Sequence, residues 1–350
     1  MDAFSSCASP RTTDGTIALS NLEAHIDGLE LSRGRGELDS PAWSELIDLI
    51  TLRARIRGRI ADYERASALA EQCALDAPAD GLGLLARART RAALHRFDEA
   101  LADLDSAERF GSPDPEVEAE RAAILQAVGR YDEALALRRT AAERRADFES
   151  LAGLASLHAE LGEITAAETW FDESCRCFRS VSPFPIAQLE FQRGHMWLRH
   201  GDFKCARHWF EAAWERLPAY AQAEGHLAEV EYELGERNGA IARLRRLASV
   251  ADDPDYAVQL ARMLAETDHL DEAGMWCERA EKRYEQIVAR HPAAFADHAA
   301  DFWLSVGNEP KRALSLAKLN LKVRNTPGAR ALFARAITAC GDLSGTRQRH

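Results

Sequence analysis

One alanine recurs along this chain with the regularity of a structural period. Ala66, Ala100, Ala134, Ala167, Ala206, Ala240, Ala273 and Ala313 stand 34, 34, 33, 39, 34, 33 and 40 residues apart. A second small residue lies twelve before it at Ala54, Ala88, Ala122, Ala155, Gly194, Ala228 and Ala261, and thirteen before it at Ala300. Two antiparallel helices approach closely only where neither carries a bulky side chain at the crossing. The two small positions therefore predict a helix hairpin in every unit. Self-similarity at this period predicts a stacked array, which grows by adding units and needs no single large core.

Between the two small positions lies a turn: ALHRFDEA, AVGRYDEA, ELGEITAA, RHGDFKCA, ELGERNGA and ETDHLDEA. Glycine there suits the left-handed end of a helix. The acidic residues that follow suit the positive end of the next helix. Tyr63, Phe97, Tyr131, Ile164, Phe203 and Leu270 follow the turn and are placed to pack between the helices, while Pro78, Pro218 and Pro254 punctuate helix ends. The first unit, IRGRIADYERA, lacks glycine at the usual turn position, and the last, GNEPKRA, carries one extra residue.

Helix–turn–helix units of about 34 residues, with small residues at fixed places and a closing proline, resemble the tetratricopeptide repeat. The resemblance covers residues 41–326 and is most specific in the second to seventh units. It implies an all-α, right-handed superhelical solenoid of about eight hairpins with a C-terminal capping helix. That helix is expected from about Pro327 to Cys340, covering the exposed apolar end of the stack. The chain then divides into a disordered tail (1–16), an N-terminal helix from about Ile17 with a linker (17–40), the array (41–326), and the cap with its tail (327–350). Two intervals are long. The 39-residue one is expected to hold a loop at 181–186, where Pro183 and Pro185 break any helix, and the 40-residue one an extended helix over about Leu270 to Arg290.

The charge balance, 44 basic against 56 acidic residues and a formal −12, argues against nucleic acid as partner. The basic runs RARIRGR (53–59) and RTRAALHR (89–96) are then read as helix faces paired with neighbouring acids. Seven scattered cysteines, with Cys175 and Cys177 separated by one residue, form neither a disulfide framework nor a CxxC pair. A reducing, cytoplasmic setting is expected. The N-terminus lacks a basic region followed by an apolar run, and no stretch approaches the ~18 apolar residues of a membrane span.

In repeats of the family resembled, the first helix of each pair lines the concave surface. Helical periodicity then turns inward the residues 3, 6, 9, 10 and 13 before each turn. Counting from Gly201, Gly235, Asp268 and Gly307 places histidines, acids, amides and aromatics there, among them Gln188, Asp255, Gln259 and Asp297. Phe191, His195, Gln222, His226, Glu229, Tyr232, Arg262, His298 and Asp301 are the candidate recognition surface. Such groups hydrogen-bond a peptide backbone and stack on its side chains.

The function expected is a non-enzymatic interaction scaffold that holds a peptide or protein segment in the concave groove. The alternative is a regulatory receptor responsive to a small ligand, peptide or metal, using a His- and acid-rich pocket in the C-terminal half. An accessory subunit held through a convex patch or the cap is a third possibility. His195, His226 and His298 sit on different helices without an HExxH pattern, so no metal and no cofactor is expected. No phosphate loop or nucleophile elbow is present, and Asp252 and Asp253 are read as helix caps beside Pro254. Glu116 and Glu120 occupy the third unit's inward places, against the Lys/Asn clamp that family members use for chaperone tails.

Overall fold

A computed structural model describes residues 10–112 and 114–347, with side chains described up to residue 341. Eighteen helices and no strand are found among them. Eight hairpins follow an N-terminal helix, α1 (Gly15–Gly34): α2 (Ser40–Arg57) with α3 (Ile60–Asp76), α4 (Gly81–Ala93) with α5 (Phe97–Arg109), α6 (Asp114–Ala127) with α7 (Tyr131–Arg144), and α8 (Phe148–Glu160) with α9 (Ile164–Cys177). The series continues with α10 (Pro183–His200) and α11 (Phe203–Arg216), α12 (Ala221–Glu233) and α13 (Arg237–Val250), α14 (Asp255–Glu266) and α15 (Leu270–Arg290), then α16 (Pro292–Leu304) and α17 (Pro310–Val323). α18 (Pro327–Arg347) packs on α17 and α16.

The small residues lie at the hairpin contacts. Ala66, Ala100, Ala134, Ala167, Ala206, Ala240 and Ala313 are wholly buried, as are Ala54, Ala88, Ala155, Ala228 and Ala300. At Gly194 a Cβ would fall 2.7 Å from Cδ1 of Phe210, so only glycine admits the ring there. The apolar core is a string of clusters running through successive hairpins, as expected of a stack that buries its faces against neighbours. Cys73 and Cys205 are buried on helices as small apolar groups.

Several expectations from the sequence need correction. α1 begins at Gly15, because the Asp14 carboxylate accepts the N–H groups of Thr16 and Ile17. Of the supposed tail, residues 10–14 lie against the fold, with Thr13 donating to Val181 O at 2.8 Å. Residues 1–9, with Cys7, lie outside the described residues. Pro183 and Pro185 begin a helix where a break is predicted. Both stand in the first turn of α10, where a backbone N–H has no intrahelical partner to lose. The long interval is thus an extended helix start, and the irregular loop is confined to 178–182. The cap extends to Arg347, past Cys340. In the first unit Gly58, φ +59°, ends α2 one helical turn earlier than in other units. His95, Asp268 and Asn308 adopt the left-handed turn conformation without glycine.

The ribbon is also less open than a simple groove. Its N-terminal turns dock on loops of its C-terminal half. The Ile60 and Ala61 N–H groups donate to Asp252, His95 Nδ1 lies 3.1 Å from Ala293 O, and Asn325 N donates to Val128 O. Glu64 meets both Arg290 and His291. The array therefore returns upon itself after about five hairpins and walls in its concave side.

Five of the seven arginines in the basic runs, all but Arg55 and Arg59, are ion-paired among the described residues. Arg53 binds Asp62, Arg57 binds Glu23, and Arg89 collects Asp48, Glu116 and Glu120 from neighbouring helices. Arg91 and Arg96 share Glu71. Among the described residues no helix is long and apolar enough to cross a membrane.

Candidate binding channel

The first helices of the hairpins face the enclosed space, and three cavities occupy it. One, about 370 Å3, lies between α12, α14, α16 and α18. A second, about 290 Å3, is bounded by α6, α8, α10, α12 and α16, so helices from both halves face each other across it. A third, about 450 Å3, lies between α2, α8 and α10. His226 and His298 line both the first and second cavities, while Ser156 and Gln192 line both the second and third. The three therefore adjoin one another, as neighbouring compartments of the channel on the concave side.

All nine candidate residues line this channel. Phe191, His195 and Gln222 belong to the middle compartment; Glu229, Tyr232, Arg262 and Asp301 belong to the first; His226 and His298 stand between them. The inward spacing works because α10, α12, α14 and α16 are regular over the counted stretches.

The middle compartment has an aromatic wall. The Phe191 ring lies 5.3 Å from Tyr220, 5.7 Å from Phe210 and 5.7 Å from His226, and His226 stacks on Phe210 at 5.3 Å. His195 meets His226 edge-on at 5.6 Å. Burial, reinforced by the nearby His226 and Arg199, lowers the His195 pKa to about 4, so its ring is neutral at physiological pH. His226 Nδ1 contacts Glu229 Oε2 at 2.8 Å.

The first compartment is polar and largely acidic. Glu229, Glu233, Asp255, Glu266, Asp297 and Asp301 line it, against Arg262 and Arg335. His298 is 58% exposed, but into a space walled by protein. Asp297 beside it, with Asp255 at 3.6 Å, raises its pKa well above the ordinary imidazole value, outweighing the desolvation by the surrounding walls. The protonated form of the His298 ring is thereby favoured. Burial raises Asp253 to about 6, whereas at Asp255 the neighbouring His298 outweighs burial and lowers the carboxyl. Tyr232 is buried and donates to Glu266 at 3.0 Å, which makes it part of the wall. Arg262 is exposed and forms no ion pair among the described residues. Arg335 of the cap binds Asp301.

Sequence reasoning left out of the candidate surface several residues that line this compartment. Asp255, Gln259 and Asp297 fall on the inward spacing and carried a signal. Arg335 carried none, because the capping helix lies outside the repeat register. Asp252 does cap a helix, but it is α3, far away in sequence, and not the adjacent α14.

No family model matches the chain, and no curated protein matches it. Solved structures do. The human IFIT1 dimer with PPP-AAAA is 16% identical with a TM-score of 0.56, over 91% of this chain and 78% of that one. A monomeric mutant of IFIT1 with Gppp-AAAA is 15% identical with a TM-score of 0.56, over 90% and 76%. A tetratricopeptide repeat protein from Parabacteroides merdae is a looser match, 15% identical with a TM-score of 0.43 over 75% and 93%. At such identities the likeness is one of fold. Together with the eight paired hairpins, the likeness to IFIT1 makes this chain a helical solenoid of the tetratricopeptide-repeat fold.

Proposed function

We propose that the chain is a non-enzymatic interaction scaffold that holds an extended polypeptide segment along its interior channel, in the cytoplasm. The observation that carries this reading is the adjacency of the three compartments, whose walls share His226, His298, Ser156 and Gln192. A channel passing several repeats suits a long ligand whose affinity is spread over many contacts. The aromatic wall around Phe191 offers stacking surface, and Gln222, Gln192 and Gln259 offer amide groups for a peptide backbone.

The acidic first compartment favours a segment carrying Lys or Arg. It also counts against a nucleic acid in this protein, although IFIT1 is seen with PPP-AAAA. Phosphate binding rests on a cationic surface, and here six carboxylates face Arg262, Arg335 and His298.

Fluorescence anisotropy with three labelled ligands tests this reading: a lysine-rich peptide, a glutamate-rich peptide and PPP-AAAA. The lysine-rich peptide is expected to bind most tightly, and His226→Ala, Glu229→Ala and Arg262→Ala to alter its affinity. Preference for PPP-AAAA, or indifference to all three substitutions, overturns the reading. The compact first compartment also suits a ligand-responsive receptor. That second reading predicts a change in solution scattering on binding, where the scaffold predicts little.

A further inference from the structure

The third compartment differs in character from the other two. Leu52, Ile56, Phe148, Phe184, Leu189 and Leu217 give it apolar walls, and Arg55 and Arg138 bring two guanidinium groups to them. Arg53, Arg57, Arg89, Arg91 and Arg96 of the basic runs find carboxylates. Arg55 and Arg138 form no ion pair among the described residues. Arg138 starts on the outer helix α7 and reaches the channel across Gly153, where a Cβ would collide with its Nη1. Its Nη2 donates to Gln126 Oε1 at 2.9 Å, and its Nε is buried with no acceptor. Glu120 acts on it only from beyond ion-pair distance, and the exposed Glu149 lines the same compartment without pairing with it. Burial consequently lowers its pKa to about 10.

A buried guanidinium without a counter-ion is costly, and it is retained at the wall of a cavity. We propose that this compartment is a binding site for a small organic carboxylate with an apolar body, the carboxylate bridging Arg138 and Arg55 and the body lying against Leu52, Ile56, Phe184 and Leu189. Guanidinium binds carboxylate in a two-pronged geometry, and the Arg138 guanidinium at this wall has no carboxylate partner, with its Nε buried and lacking an acceptor. The inference does not depend on the polypeptide reading, whose test turns on His226, Glu229 and Arg262 in the other two compartments, so either can fail alone.

Titration calorimetry on the full chain, with decanoate below its micellar range, tests it. Decanol carries the same tail without charge, and acetate the same charge without the tail. Decanoate is expected to bind one per chain, at least tenfold more tightly than either. Arg138→Met is expected to reduce decanoate affinity at least tenfold. In the absence of ligand it should melt no lower than wild type, since it removes an uncompensated buried charge. Gly153→Ala, which displaces the guanidinium while keeping its charge, should weaken binding in the same direction. Equal binding of decanol and decanoate, unchanged decanoate affinity in Arg138→Met, or a strongly destabilised ligand-free Arg138→Met overturns the proposal.

Discussion

Asp252 caps a helix that begins 192 residues before it, its Oδ1 accepting the Ile60 N–H at 2.6 Å. Its other oxygen accepts from Ala61 at 3.2 Å and from Arg283 Nη2 at 2.9 Å. One carboxylate thus satisfies the exposed start of α3 and joins the two halves of the array. Asp252→Ala should cost about 1–2 kcal/mol, in the range of a lost helix cap. Urea denaturation checks the stability, and small-angle scattering should show a larger radius of gyration. Asp252→Asn, which keeps an acceptor, should recover part of both.

His95 makes a second contact across the same seam, and its titration gives a pH dependence. Burial, with Arg324 nearby, lowers its pKa from 6.5 to about 4. The folded ring is neutral, and its Nδ1–H can donate to Ala293 O. Below pH 6.5 the unfolded chain takes up a proton that the folded chain refuses. The contribution is therefore complete above pH 6.5 and is lost as pH falls towards 4. His95→Asn tolerates the left-handed backbone and does not titrate. The stability advantage of wild type over this variant should shrink between pH 7 and pH 4, with a slope no steeper than about 1.4 kcal/mol per pH unit.

Gly194→Ala tests the small-residue rule at its tightest point. The added methyl would lie 2.7 Å from the Phe210 ring, which is wholly buried and stacked on His226. Overpacking costs about 1–3 kcal/mol, and the better helix propensity of alanine returns roughly 1 kcal/mol. A net loss is expected by denaturant titration. A gain in stability would show that the hairpin has room to spread there.

Arg193 is 5% exposed, binds Asp172 at 2.9 Å and Glu168 through Nε at 2.8 Å, and lies 3.9 Å over the Trp209 ring. Arg193→Ala strands two carboxylates between α9 and α10. About 3–5 kcal/mol should be lost, as for other broken buried pairs. Thermal melting of the variant beside Lys204→Ala, an exposed control, checks it.

The repeat was legible because its cause is local and recurrent. Ala134 and Ala206 occupy equivalent spots because each hairpin needs the same close crossing. The nine channel residues were legible for the same reason, since regular helices carry a fixed inward spacing. What escaped the sequence depends on distant pieces meeting. Nothing around Asp252 indicates that it would cap α3, because that contact depends on the accumulated curvature of five hairpins. Arg138 reads as an outer residue until Gly153 on the next helix is seen to let it through. Pro183 and Pro185 misled for a different reason: proline excludes the middle of a helix and favours its first turn, and composition does not distinguish the two.

The contact of Val128 with Asn325, like that of Ile60 with Asp252, gives the ribbon the topology of a sleeve. On the polypeptide reading proposed above, a segment inside such a sleeve is threaded, so a free terminus can slide in while an internal stretch of a folded partner must wait for the seam to part. Loading from the side would then be timed by breaking a few polar contacts and would accelerate when Asp252 is replaced. Release would be slow for the same reason, so occupancy would persist longer than the strength of any single contact implies.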